Sequence, residues 1–260
     1  MTEEKEDQGA VRLSKRLAEQ QQCSRREAEL YIEGGWVSVD GQVVEQPGAR
    51  VAPHQQVELA PRARAEEVPP ITLVLHKPAG YEAGLGAAPG DAHASRSRGA
   101  PDALTLIHPD SRHAEGGPPV RVLQRHFRQL ACHTPLPTEA SGLVVYTQDR
   151  RMARRLVEDI ETLEQECIVQ VEGQIAEGGL QRLCHGLSFN GRALPPIKVS
   201  WQSEQRLRFA LKGIRPGQVP AMCAAVGLQV TALRRIRIGR VALAKLPEGQ
   251  WRYLLPWERF

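Results

Sequence analysis

Guanidinium, carboxylate, thiol and imidazole groups are where a chain of 260 residues could do chemistry, and here the guanidinium groups dominate. Between Arg206 and Arg240 lie eight basic residues (Arg206, Arg208, Lys212, Arg215, Arg234, Arg235, Arg237 and Arg240) and no Asp or Glu. Such a run is either a solvated sheet face or a surface for a phosphate-rich partner, because no carboxylate within it supplies counter-charge. A second cationic cluster begins at Ser24-Arg25-Arg26. Ser24 can cap a helix there, and Glu27, three residues on, can complete a capping box. A helix N-terminus with flanking cations suits a phosphate group. Glu27, Glu29 and Glu33 leave that region nearly neutral as a whole, so any such contact is local.

The remaining reactive groups point to less. Cys23, Cys132, Cys167, Cys184 and Cys223 are odd in number, scattered and never spaced Cys-x-x-Cys, which argues against a disulfide scaffold or a compact zinc knuckle. His93, His108 and His113 lack the spacing of metal ligands. His126 and His133 have no Ser or Cys partner in a recognisable motif, so a packed or surface histidine is the default for both. Cys167, in Glu164-Gln-Glu-Cys-Ile-Val169, could be a reactive thiol, yet a cysteine on an apolar strand is usually just buried. Asp149 reads as a helix cap.

These groups need a frame. With 41% hydrophobic and 25% charged residues the composition is that of an ordinary soluble protein, and 5% aromatics leave an aliphatic core. A net charge of +4 excludes little. No apolar run approaches the ~20 residues that span a bilayer. The charged start, Met1 to Gln8, has no secretory apolar stretch, so the expectation is a cytoplasmic protein with reduced thiols.

Residues 1–10 read as a disordered tail. Leu13 and Leu17 sit one turn apart on a short first helix, and the Ser24-capped helix carries Ala28 and Ile32 before stopping at Gly34-Gly35. Residues 36–44 alternate around Asp40-Gly41, a tight-hairpin signal, and 51–59 adds a short strand. These elements make a unit over 11–60, followed by a linker at 61–70. Beyond it, 71–75 is an apolar strand, and 82–119 reads as a long flexible loop with at most a short helical piece near 102–107. Regular patterns return from 120. Strands are predicted at 142–147, 166–175, 197–201, 207–211, 230–238 and 251–255. Helices are predicted from Asp149 to about 161, with Met152, Leu156 and Ile160 on one face, around 180–187, and at 219–226. The fold class is α+β: a small N-terminal domain and a larger domain, 71–260, with a mostly antiparallel sheet.

Leu13-Ser-Lys-Arg-Leu-Ala18, Ser24-Arg-Arg-Glu-Ala28 and Gly35-Trp-Val-Ser-Val-Asp-Gly41 resemble the small alpha-L RNA-binding domain named after the fourth small-subunit ribosomal protein. That resemblance implies Lys15, Arg16, Ser24, Arg25 and Arg26 as RNA contacts. Leu75-His-Lys-Pro-Ala-Gly-Tyr81, Ser141 to Asp149, Met222 to Gly239 and Leu246-Pro-Glu-Gly-Gln-Trp-Arg252 resemble bacterial RNA pseudouridine synthases of the RsuA type, which join this small domain to a catalytic one. The resemblance spans roughly 11–257.

It implies uridine isomerisation in rRNA or tRNA with no metal or organic cofactor. One aspartate acts at the sugar, a tyrosine lines the base pocket and basic groups orient the aspartate. Here the chain departs from the family. Aligned without a gap against Gly142-Leu143, the aspartate position is Pro137 and an arginine position is Pro135. The tyrosine position is Cys167, and three further arginine positions are Gly217, Pro220 and Ala221. Proline can neither attack nor take a proton. Glu139, two residues along the same loop, is the best substitute carboxylate.

The expectation is therefore a monomeric RNA-binding protein with impaired catalysis and no membrane association. Its partner would be structured RNA, held by the residues named above together with Lys77, Arg234, Arg235 and Arg237. An active isomerase using Glu139 is the alternative, and a protein-recruiting role for the 82–119 loop is a third.

Overall fold

The computed structural model describes residues 9–84, 99–114, 120–159 and 161–260. Positions 1–8 of the expected tail, His93, Ile160, and 85–98 and 115–119 of the expected loop lie outside them. The chain forms two compact units, Met1–Pro70 with Pro119–Arg128, and Ile71–Pro118 with Gln129–Phe260.

In the first unit β1 (Val11–Arg12) leads into α1 (Leu13–Gln21), followed by α2 (Arg25–Glu33), β2 (Val37–Val39), β3 (Gln42–Val43), β4 (Arg50–Val51) and β5 (Val57–Leu59). Leu13 and Leu17 of α1 meet Ala28 and Ile32 of α2 over Val37, Val39, Val51 and Val57, so each helix buries one aliphatic stripe. The capping box forms: the Glu27 N–H donates to Ser24 Oγ at 3.2 Å, and the Ser24 N–H donates to the Glu27 carboxylate at 2.8 Å. Asp40 and Gly41 both adopt left-handed φ, 52° and 81°, which is what a two-residue hairpin turn between twisted strands demands. The strand expected over 51–59 is two short ones, because Ala52 to Gln55 turn between them. β4 pairs with β1, and β5 pairs with β2.

Local sequence pattern places everything after the 61–70 linker in one domain. The structure instead packs 120–128 into the first unit. The Arg121 guanidinium lies 4.0 Å from the Trp36 ring centroid and donates to the Gly35 carbonyl. The Gln124 N–H donates to Glu45 at 2.8 Å, and Arg125 pairs with Glu33 at 3.6 Å. Leu123 and His126 are buried. Partners so far apart in sequence leave no local signal.

The larger unit contains β6 (Thr72–Lys77), β7 (Ala131–Cys132), β8 (Ser141–Thr147), α3 (Arg150–Glu158), β9 (Glu164–Gly173) and α4 (Gly179–Cys184). It continues with β10 (Ser188–Phe189), β11 (Arg192–Ala193), β12 (Lys198–Ser203), β13 (Arg206–Lys212), α5 (Gln218–Ala224), β14 (Leu228–Ile238), β15 (Val241–Ala242) and β16 (Trp251–Tyr253). Nine strands form one sheet in the order β12-β13-β9-β14-β8-β6-β16, with β15 on β14 and β7 on β8. Among the strand pairs of the described residues only β14 with β8 is parallel, so the α+β, mostly antiparallel architecture holds. One core packs Leu183, Val219, Met222 and Cys223 of α4 and α5 on Cys167, Val169, Leu207 and Phe209. Another packs Leu156 of α3 with Val74, Leu143, Val145 and Ile238.

The 82–119 stretch is not structureless where it is described. Ala103–Leu106 and Pro109–Ser111 form short 3₁₀ turns. Ala103 and Ile107 are buried, the Trp251 indole donates to the His108 carbonyl at 2.8 Å, and the His113 N–H donates to the Trp251 carbonyl at 2.7 Å. Among the described residues no helix is long and apolar enough to cross a membrane.

Candidate functional site

The segments singled out in the sequence meet in one row across the large sheet. Lys77 of β6 pairs with Gly142 of β8, Gly142 with Arg235 of β14, and Arg235 with Cys167 of β9. Gly142 has φ +117°, and a Cβ there would fall 2.2 Å from the Arg235 carbonyl oxygen. Only glycine lets β8 approach β14 this closely.

Arg235 is 2% exposed, and all of its donor nitrogens are used. Nε donates to the Leu143 carbonyl at 2.8 Å, and Nη1 to the Pro135 carbonyl and Gln165 Oε1 at 3.1 Å each. Nη2 donates to the Thr134 carbonyl at 2.6 Å. Burial pulls its pKa down to about 10, opposed by the Cys167 and Cys132 thiols, so it remains a cation at neutral pH. Arg235 is thus a brace for the 134–136 segment. That segment is also pinned by the Val145 N–H on Thr134 Oγ1 at 2.8 Å and the Leu136 N–H on the Ala83 carbonyl at 3.1 Å.

Lys77, expected as an RNA contact, is fully buried. Its ammonium donates to the Pro78 and Tyr81 carbonyls at 2.8 Å and to Thr138 at 3.3 Å, tying the 78–81 turn to the same loop. Burial lowers it to about 8, while Glu139 and Glu248 oppose that shift and Arg235 adds to it.

Beside this row lies a cavity of about 490 Å³. Pro135, Pro137 and Glu139 line it from the loop, Cys167 from β9, and Arg215, Pro216, Gly217 and Pro220 from the approach to α5. The positions singled out against the family pattern therefore share one cavity, except Ala221, which is not among its lining residues. Burial pushes the Cys167 thiol up to about 11, countered by Arg235, so it is protonated at neutral pH and unsuited to nucleophilic attack. Glu139 is exposed and forms no ion pair among the described residues. All five cysteines are free thiols.

The expected RNA contacts divide. Lys15 on α1 and Ser24, Arg25 and Arg26 at the start of α2 are exposed, and among the described residues the three cations pair with surface acids: Lys15 with Glu19, Arg25 with Glu29 and Arg26 with Glu67. Arg16 is half-buried. Its guanidinium binds the carbonyls of Ala52, Pro53 and Gln55, fastening α1 to the turn. Arg234 is exposed, but Lys77 and Arg235 are corrected from RNA contacts to internal braces. Arg237 is held by Glu164 and Glu166, and Arg208 by Glu166. The basic run lacks counter-charge only in one dimension, because β9 lays two glutamates alongside it. The Glu164-x-Glu166 spacing on the strand holding Cys167 was the available signal for that pairing.

Residues 11–57 match the S4 domain family. A protein of Aquifex aeolicus named as an uncharacterized RNA pseudouridine synthase is 28% identical over 250 residues, covering 94% of this chain and 92% of that one. The ribosomal small subunit pseudouridine synthase A of Escherichia coli K12 is 27% identical, with 94% and 96% covered. The ribosomal large subunit pseudouridine synthase B of Yersinia pestis is 29% identical, with 92% and 71% covered. A crystal structure of a pseudouridylate synthase shares the fold, with a TM-score of 0.56 at 20% identity over 94% of this chain and 96% of that one.

Proposed function

We propose that this chain, an S4-domain relative of the RsuA-type RNA pseudouridine synthases, binds structured RNA without isomerising uridine. The observation that carries the reading is the wall of the 490 Å³ cavity, where prolines occupy the positions aligned with the family's aspartate and one arginine. Detaching a uracil and rejoining it through carbon requires a group that attacks or takes a proton near the sugar, and others that orient it. Pro137 offers neither lone pair nor proton. Cys167 is protonated, and the donors of Arg235 are committed to carbonyls and Gln165. Loss of a general base alone costs ~10²–10⁴ in rate, and loss of the covalent route costs more.

RNA binding rests on the S4 domain, with the exposed Lys15 of α1 and Arg25 and Arg26 at the start of α2 beside Ser24, and on Arg234 of the larger unit. The relatives' names favour ribosomal RNA, with transfer RNA as the other structured candidate. The protein acts as a monomer in the cytoplasm and needs no metal or organic cofactor. One observation favours a second reading, an isomerase with a displaced carboxylate: Glu139 lines the same cavity.

Tritium release from RNA labelled at uridine C5 separates the two. Neither the unaltered chain nor Pro137→Asp is expected to release tritium, since a restored aspartate still lacks the tyrosine and arginines. Release by the unaltered chain that Glu139→Ala abolishes would overturn the first reading and establish the second. For binding, neutralising about five phosphates gives a log affinity–log salt slope of roughly −3.5 to −4.5. Replacing Arg25 and Arg26 by Ala flattens it by roughly 1.4 to 1.8. An unchanged slope removes that face from the interface.

A further inference from the structure

We propose that the sheet face turned away from the 490 Å³ cavity is a track for single-stranded RNA, an inference that rests on the RNA-binding reading. Glu166 and Arg234 stand one residue before Cys167 and Arg235 on β9 and β14, so their side chains leave by the opposite face. Two neighbouring cavities open there, of about 570 and 540 Å³, and residues 242–246 form a wall common to both. Glu166 lines the first, where Arg208 and Arg237 hold it, and Glu258 lines the second, where Arg252 holds it. That leaves Arg234, Arg240 and Lys245 exposed along the track with no ion pair among the described residues.

Two further observations say what the track takes. Trp257 lines the second cavity at 66% exposure, a large aromatic ring among cations. His76 lines the first; its Nδ1 donates to the Leu246 carbonyl at 2.8 Å, which leaves Nε2 as the ring's remaining polar atom. That buried Nε2 has no partner among the described residues. Cations for a phosphodiester chain, a π-platform for a base and an unpartnered imidazole nitrogen for a polar group of the nucleotide together match a ribonucleotide strand. An acidic peptide would use the cations and leave the indole idle.

The test uses the full chain and a short end-labelled oligouridine followed by fluorescence anisotropy. Trp257→Ala is expected to weaken binding roughly 5- to 150-fold, the span of one base–aromatic stack, and Trp257→Phe to recover most of it. Replacing Arg234 and Lys245 together by Ala lowers the salt slope by about 1.4. All three residues are exposed, so the variants keep their fold. If both sets leave oligouridine binding unchanged while the Arg25/Arg26 variant still weakens structured RNA, the track is overturned and the RNA-binding reading stands. If the unaltered chain binds no RNA, both fall. Polyglutamate competing as well as unlabelled oligouridine of equal charge assigns the face to an acidic protein and overturns the track.

Discussion

On one face of the β9–β14 ladder Arg235 is buried and forms no ion pair among the described residues; on the other, the more exposed Arg208 and Arg237 share the buried Glu166. Both arrangements keep guanidinium groups charged, by different physics. Arg235 is held by oriented carbonyl dipoles and one amide, which satisfy its donors at a desolvation cost that lowers its pKa. On the far face, hydrogen bonds from Arg237 and then Arg208 hold the Glu166 carboxyl below its ordinary value and outweigh its burial, while the same contact raises Arg237. The contrast separates arginines that hold the loop, arginines that hold a glutamate, and the residue, Arg234, left available to a ligand.

Removing the buried brace should have the largest effect. Arg235→Met strands the carbonyls of Thr134, Pro135 and Leu143 and should lower unfolding free energy by about 3–5 kcal/mol in urea titrations. A loss below about 1 kcal/mol would erase the distinction between the faces.

Glu166→Gln should cost about 2–3 kcal/mol at neutral pH, by the same measurement. Because the folded carboxyl is depressed, its contribution is present above the ordinary value of 4.5 and lost as pH falls through the lower folded one. The gap between wild type and Glu166→Gln should therefore close on acidification, whereas the Arg235→Met gap should not. Smallest is Ser24→Ala, at about 1 kcal/mol, with Ser24→Gly costing a few tenths. A larger loss would mean that the α2 cap supports more than its own helix.

Much of this was legible in the chain. The capping box at Ser24 and Glu27, the Asp40-Gly41 turn and the apolar strand expected over 142–147 stand where local periodicity and turn chemistry put them. Other elements were not. The β10–β11 hairpin has too few residues to show a period. The helix expected over 180–187 ends at Cys184, with Leu187 buried beyond it. The order of residues 99–114 comes from Trp251, far along the chain, and the place of 120–128 from Trp36 and Glu33. At the candidate site, the residue types at Pro137 and Cys167 were readable, because the identity of a side chain needs no geometry. The brace roles of Lys77, Arg16 and Arg235 were not, since a basic residue reads as surface until its burial is known.

By itself, the amino-acid order determined the local elements, the S4-like start and the presence of Pro135 and Pro137 in the loop before β8. Tertiary structure alone decided which face each arginine serves. Strict alternation would send Arg235 and Arg237 to the same side, but the ladder pairs Arg235 with Cys167 and Arg237 with the adjacent Glu166, leaving Ile236 as the extra residue of a bulge. Alternation is a property of one strand, whereas a bulge and its ion pairs are set by a partner strand about seventy residues away.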